Sequence, residues 1–530
     1  MPLSRCSVLK TTAASLALPL AFPSIARAEA ATTLKYIPYA DLALLDPLVS
    51  AFITRNHVMT IFETLFALDE AGVPQYQMLE GHNVEADGRL WRLTLRENLR
   101  FHDNTPVLAR DAVASLRRWS VKDSFGQALF AATDELSAPT DKVIEFRLKR
   151  PFPLLPNALS KPTNLMAAIM PERLALTPAS TLLKEMVGSG PYRYVADERV
   201  PGARNVYRRF AGYLPRPQGT PSFFSGPRIA SFDQLEWLTT PDPGTQVAAL
   251  QAGEVDWVEQ PLMDLVPKLR ADPKLKVQVV ETKGLIGMLR FNTLHPPFDN
   301  PAIRRAVLKA VNQREFMSAV VGENASFDDH VGIFSPGSDM ANDAGMEVLS
   351  GKHDLAALRK EILDAGYKNE KIVYLTSTDV PRINAICEIG AEMLRKLGLN
   401  VDEISTDWGT VVQRSVSKQP LDKGGWSMFG AFTGGYDWLS PATNQQNRGN
   451  GLAGYNGWPT SERLEALRDA WFLATDLATQ KALARELQLQ AWQDVPTLPL
   501  GAYYQPVAYK ADLTGMLTGL PMFTNLRRIS

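Results

Sequence analysis

Two apolar periods alternate over nearly the whole 530-residue chain, and this restricts the architecture more than any single motif. Trp91, Leu93 and Leu95 alternate with Arg92, Thr94 and Arg96, the period-two pattern of a half-buried strand. Asp103-Asn104-Thr105-Pro106 then turns the chain, and Asp111 caps a helix whose apolar face includes Val113 and Leu116. Ile144, Phe146 and Leu148 repeat the strand pattern. Leu355, Leu358 and Ile362 mark a helix that stops at Gly366, where a residue without Cβ permits the left-handed turn. Another helix opens at the Pro459-Thr460 step, with Leu464, Leu467 and Trp471 on one side. Strands and helices joined by short links predict α/β layers rather than a bundle or a sandwich. At about 150 residues per domain, this length predicts three domains. The segment from Pro201 to Pro227, rich in proline and glycine, reads as a surface loop packed against a neighbouring strand.

The first 28 residues read as a removable export signal. Arg5 and Lys10 precede an apolar run from Ala13 to Phe22, and Ala26-Arg27-Ala28 supplies a small-x-small cleavage site after Ala28. The run is too short to span a bilayer as a helix. Ser4-Arg5-Cys6-Ser7-Val8-Leu9-Lys10 resembles a twin-arginine export motif with Cys6 in place of the second arginine, so both the general secretory and the twin-arginine routes stay open. Cys6 lies far ahead of the cleavage site, which does not suit a lipid anchor, so the mature chain is expected free in the periplasm. Cys387 then remains alone, unable to form an internal disulfide and expected as a buried, inert thiol. Removing Arg5, Lys10 and Arg27 takes three positive charges and no acid from a net charge of -1, leaving -4. This mild acidity, spread along the chain, argues against nucleic acid or an anionic membrane as partner.

Around Asp299-Asn300-Pro301 the residues define a helix start. Asn300 suits the cap, and Pro301 the first helical position, where a missing N–H has no partner to lose. Ile303, Ala306, Val307 and Ala310 then share one face. The stretch Phe291-Asn292-Thr293, Pro297-Phe298-Asp299-Asn300-Pro301 and Ile303-Arg304-Arg305-Ala306 has ordered companions. They are Leu45-Asp46-Pro47, Glu63-Thr64-Leu65-Phe66, Leu95-Arg96 with Phe101-His102-Asp103-Asn104-Thr105-Pro106, Asp111-Ala112-Val113, Gly188-Ser189-Gly190-Pro191-Tyr192 and Gly253-Glu254-Val255-Asp256. In this order they resemble the large extracytoplasmic solute-binding proteins of ABC importers, family 5, the class of dipeptide- and oligopeptide-binding proteins.

The resemblance implies a two-lobed periplasmic-binding-protein fold of type II, like cluster C, with an extra inserted domain and a flytrap hinge. It implies a discontinuous lobe I (29–68, 188–290, 502–530), an inserted domain (69–187), a lobe II (291–501), and hinge residues Arg290, Phe291, Gly501 and Ala502. The implied function is capture of a peptide-like or other polar solute between the lobes and delivery to the transmembrane subunits of an ABC permease. The receptor is expected to be a monomer without cofactor.

Catalytic motifs are missing from the sequence: no Gly-x-Ser-x-Gly, His-Glu-x-x-His, Cys-x-x-Cys or Gly-x-x-x-x-Gly-Lys occurs, and no catalytic residue is assigned. Gly449-Asn450-Gly451-Leu452-Ala453-Gly454 matches the dinucleotide pattern. However, it follows the polar Asn444-Gln445-Gln446-Asn447-Arg448, and no helix can start before Pro459, so a loop near the cleft is the better reading. His57, His82, His102, His295, His330 and His353 show no ligand spacing, and no metal site is expected.

The richest stretch for ligand contact runs from Asp407 to Asn450. Trp408, Trp426, Phe432 and Tyr436 offer flat apolar walls. Asp437 suits an ammonium, and Arg448, with Asn450 beside it, a carboxylate or phosphate. Gly435 and, from the N-terminal segment, Tyr39 complete the candidate ligand set. Against these stand plain roles: Trp408 and Trp426 as core, Arg448 as a solvated loop charge, Asp437 as a cap. The resemblance favours the cleft for Trp408 and for Phe432 to Asp437. It also exposes a departure, because Gly435 stands where peptide-binding members carry the aspartate for the peptide's α-amino group. The rival readings are a secreted hydrolase of peptides or glycosides using Glu403, Asp407 or Asp437, and a chaperone with an apolar cleft. The solute stays open among peptide, glutathione-like compound, opine, sugar conjugate and metal complex.

Overall fold

The computed structural model describes residues 32–529 except 164, 323, 324 and 353. The export signal, Cys6 and His353 therefore lie outside the described residues.

Three main sheets organise the chain. The first has seven strands in the spatial order Leu275–Val279, Pro506–Lys510, Trp257–Val258, Thr33–Ile37, Gln234–Leu238, Arg204–Arg209 and Tyr192–Tyr194. Its central strand Thr33–Ile37 runs parallel to both neighbours, and the outer pairs are antiparallel. The second has six strands in the order Phe327–Asp328, Leu498–Tyr503, Leu285–Phe291, Met428–Gly434, Lys371–Ser377 and Asn400–Thr406. The third, antiparallel throughout, holds Leu79–Glu85, Leu90–Leu95, Val143–Leu148 and Thr133–Ser137. Leu90–Leu95 alternates half-buried and buried residues, as its period requires.

Arg204–Arg209 lies inside the segment expected to be loop, pairing with Gln234–Leu238. The rest of that segment is anchored at its far end, since Phe223, Phe224 and Ser225 are all buried. Glycine and proline content concealed a strand of only six residues, RNVYRR, whose arginines hide its alternation.

The signature residues are joints of the scaffold. Asn300 caps Pro301–Lys309, accepting from Ala302 N at 2.9 Å and donating to Ala365 O at 2.9 Å. Arg304 donates to the carbonyls of Phe298, Asp494 and Val495. Asp46 and Arg118 form a buried ion pair at 2.8 Å, and Glu63 is paired with Arg228 at 3.3 Å. Gly188 packs so closely on the end of helix Phe52–Ile61 that a Cβ would lie 1.9 Å from Ile61 O. Asp111 differs from its expected role: it is the third residue of helix Ala109–Ser120, and its carboxylate accepts from Leu108 N and Glu172 N, both at 2.8 Å. It thus ties the helix start to a second segment as well as satisfying one orphan amide.

Helix Pro381–Lys396 covers one face of the second sheet. Its Cys387 lies against Gly430, where a Cβ would stand 2.7 Å from the sulfur, and burial pushes the thiol up to about 11. Among the described residues no helix is long and apolar enough to cross a membrane.

Candidate ligand-binding site between the two large sheets

The chain changes sheet twice after residue 275. It leaves the first at Val279 and enters the second at Leu285; it leaves the second at Tyr503 and returns to the first at Pro506. Leu285 is paired with both Gly434 and Tyr503, so the two crossings lie side by side where three strand ends meet. Arg290, Phe291, Gly501 and Ala502, expected at the crossings, instead lie within the strands of the second sheet. Arg290 is fully buried and donates to backbone oxygens of Gln446, Tyr455, Asn456 and Pro496, so it is fixed on every side. The resemblance located the crossings only within several residues.

Facing these strand ends is a polar layer from the first lobe. Helix Phe52–Ile61 presents Arg55 and Asn56, and Glu259 follows strand Trp257–Val258. Glu259 is fully committed: one oxygen accepts from Asn56 Nδ2 at 2.8 Å, the other from Tyr39 N at 2.9 Å. Arg55 lies with its guanidinium 5.0 Å from the Phe52 ring centre and its Nη2 3.9 Å from a Glu281 oxygen, beyond hydrogen-bond reach. Glu281 belongs to the first crossing. Burial, with Asp437 and Glu259 nearby, pushes its carboxyl up to about 7 against the opposing pull of Arg55.

From the second lobe comes Arg382, the second residue of helix Pro381–Lys396, whose guanidinium sits 5.2 Å from the Tyr39 ring centre. Its buried Nε has no hydrogen-bond partner, and neither do the buried Tyr503 hydroxyl and Glu281 Oε1. Burial pushes the Tyr503 hydroxyl up to about 12, with Arg382 lowering it and Glu281 raising it, which places the phenol in the field of both. A small pocket at the crossings is lined by Glu259, Gln260, Glu281, Gly284 and Gln505. Arg382, Glu281 and the Tyr39 and Tyr503 rings thus come together where the two lobes meet, beside the crossings.

The lobes also touch at two further places. Tyr436 stacks on Phe223 with ring centres 4.9 Å apart. The body of the third sheet meets the second lobe through Phe125 and Phe152 on Phe472 and through Ser124 Oγ donating to Ala442 O at 3.1 Å.

Of the residues expected at a ligand, Tyr39, Phe432, Gly435, Tyr436 and Asp437 gather around the crossings. Phe432 meets Tyr503 edge-on at 5.3 Å, and Asp437 is buried and not without a partner. Gly435 is a contact point of the backbone, donating to Gly284 O at 2.8 Å, and a Cβ there would lie 1.9 Å from Lys283 O. Trp408 is half-buried at the start of helix Trp408–Ser415, its N–H bonded to Asp379 at 2.8 Å.

The remaining three candidates stand apart. Trp426 is core, fully buried against Phe429 and Trp458 and donating to Ser417 O at 3.2 Å. Arg448 is paired with Glu465 at 2.5 Å and reaches Gln127 of the third-sheet body at 3.4 Å, with Asn450 beside it. A built-in carboxylate thus already occupies the arginine that looked suited to a ligand's. Asp407 and Glu403, weighed as hydrolytic acids, are a helix cap on Thr410 and the partner of Arg395 and Thr376.

Arg55, Phe223, Glu259, Glu281, Arg382 and Tyr503 went unread in the sequence. Pro381-Arg382 at a helix start is the one local signal among them, since a cation there opposes the helix dipole and needs another reason to be present.

The fold and this site define a two-lobed receptor that holds its solute between domains. The family model for bacterial extracellular solute-binding proteins, family 5 middle region, matches residues 73–450, and the chain belongs to this family. It is 33% identical, over the whole of both chains, to a probable peptide ABC transporter periplasmic-binding protein of Sinorhizobium fredii. It is 24% identical to the glutathione-binding protein of Salmonella typhi over 93% of each chain. Solved structures share the fold. The periplasmic binding protein of A. tumefaciens in complex with agropinic acid superimposes with a TM-score of 0.78 at 19% identity, covering 94% of this chain and 99% of that one. A Helicobacter pylori periplasmic binding protein in complex with peptide STSA gives 0.77 at 20% identity, covering 94% and 98%. All four are named as binding proteins. The family is extracytoplasmic.

Proposed function

We propose that this chain is a periplasmic receptor for a small peptide-like or other polar organic solute, which it delivers unaltered to an ABC import permease. The observation that carries the reading is Arg382. Its cation, on the second lobe, stands over the Tyr39 ring of the first with a buried N–H unmet, and an unpaired buried donor of this kind costs stability until something accepts from it. An anionic group on the solute, such as a carboxylate, fits that donor. Phe432, Tyr436 and Tyr503 supply apolar walls around it, with Trp408 at the rim. The solute touches both lobes and stabilises their closed arrangement by its differential affinity for that state. The hinge is the pair of crossings, with Gly284 at φ +71 taking up the turn. The protein acts as a carrier, so no catalytic group is needed.

Calorimetric titration with dipeptides and with glutathione tests this, alongside small-angle scattering. One site and a fall in the radius of gyration on saturation are expected. Arg382→Ala should weaken binding by roughly 30-fold or more, the low end for truncating one partner of a buried charge pair. Saturation without compaction would overturn the hinge, and an unchanged affinity would remove Arg382 from the site.

A further inference from the structure

We infer that Glu281, on the crossing itself, receives a protonated amine of the solute, which makes the ligand class a zwitterion with its anionic end at Arg382. This rests on the receptor reading above and assigns the cationic end, for which Gly435 leaves no side chain.

Geometry separates Glu281 from the other acids of the site. Glu259 has both oxygens bonded within the first lobe. Asp437 is engaged within the protein. Glu281 keeps one oxygen 3.9 Å from Arg55 and the other, buried, without any hydrogen bond. That second oxygen lies where strand Met428–Gly434 has no side chain, for a Cβ at Gly434 would come within 3.0 Å of it. The glycine lets the second lobe's strand pack directly against this oxygen without covering it with a side chain. The independent pointer is Tyr503. It is 1% exposed, its hydroxyl has no partner, and it stands in the field of both Arg382 and Glu281. A dipolar molecule spanning those two charges would give the phenol an acceptor or donor as well.

The groups facing Glu281 are Arg55, Glu259, Asp437, Tyr436 and Tyr503. With one cation against two acids, its ionised form is held at a cost, and its carboxyl is raised to about 7. An incoming ammonium supplies the missing positive charge and favours the ionised form. Binding of an amine should therefore release a proton near pH 6, and affinity should fall as pH drops from about 8 to 5.

Native mass spectrometry with a mixture of dipeptides competing against the same mixture N-acetylated tests the assignment. Wild type should prefer the free amines by roughly 30-fold or more, and that preference should fade toward pH 5. Glu281→Gln should lose the preference and its pH dependence while still binding the acetylated peptides. Asp437→Asn should keep both. A wild type that binds acetylated and free peptides equally, or a Glu281→Gln protein that still prefers amines, overturns this inference and leaves the receptor intact. Loss of the preference in Asp437→Asn alone reassigns the role to Asp437 and equally overturns it. A wild type that binds neither mixture removes the receptor reading for peptides and this inference together.

Discussion

At the scale of single residues, Gly435 separates two readings of a sequence departure. Loss of an aspartate suggests a lost contact that restoring the side chain would repair. The backbone rules this out, because Lys283 O occupies the place of a Cβ. Gly435→Asp is therefore expected to destabilise the fold by roughly 2–4 kcal/mol, in the range for strain at a tight buried contact. A thermal melt checks this, and amine binding should not improve. His57 and His102 give a pH prediction of known sign. Burial holds His57 down to about 3 and His102 to about 4, His57 against the Tyr207 hydroxyl at 2.9 Å and His102 against Gly190 O at 3.0 Å. Unfolded histidine takes a proton near 6.5 while these stay neutral. Their contribution is whole above about 6.5 and is lost progressively as pH falls toward 4. His57→Gln should flatten that acid limb in chemical denaturation followed from pH 7 to 4.5.

Among elements, the helices and strands with a clean period were legible because burial enforces their pattern. Leu90–Leu95, Val143–Leu148 and Leu355–Asp364 fall where the residues predict them. So does the Asn300 cap, and Asn300→Ala should cost about 1 kcal/mol, with more if the bond to Ala365 O is also missed. Denaturant midpoints would show it. Strand Arg204–Arg209 was not legible, since arginines stand on both faces of this short strand and Pro201 and Gly202 lie just before it. Half of the candidate site was similarly hidden. Phe432, Tyr436 and Asp437 were reachable through the resemblance, and Tyr39 was named as a candidate from the N-terminal segment. Glu281 sits on a crossing between strands, Tyr503 at a strand end, Arg382 at a helix start, and Arg55 within a helix. Nothing in the spacing of these four relates them, because they meet only after two sheets are brought together. Arg448 misled for a complementary reason: its partner Glu465 lies 17 residues on, in the next helix, and a loop cation looks unpaired until that helix packs.

On the scale of the whole molecule, the lobes are joined by Tyr436 on Phe223 and by Phe125 and Phe152 on Phe472. These hold the lobes together independently of any solute. Tyr436→Ala should therefore shift the empty protein toward a more open form, seen as a larger radius of gyration, while the melting temperature changes little. A receptor unchanged in size by this substitution would show that the stack does not bear on closure. The short stretch Leu498–Lys510 belongs to both large sheets. Its first half is inserted between two strands of the second sheet and its second half between two strands of the first. Both lobes thus remain unfinished, each with an unsealed seam, until almost the final residues are supplied. A chain cut short before Leu498 should leave neither half able to fold by itself, and a molecule threaded through a membrane from its N-terminus would stay pliable until nearly all of it had passed.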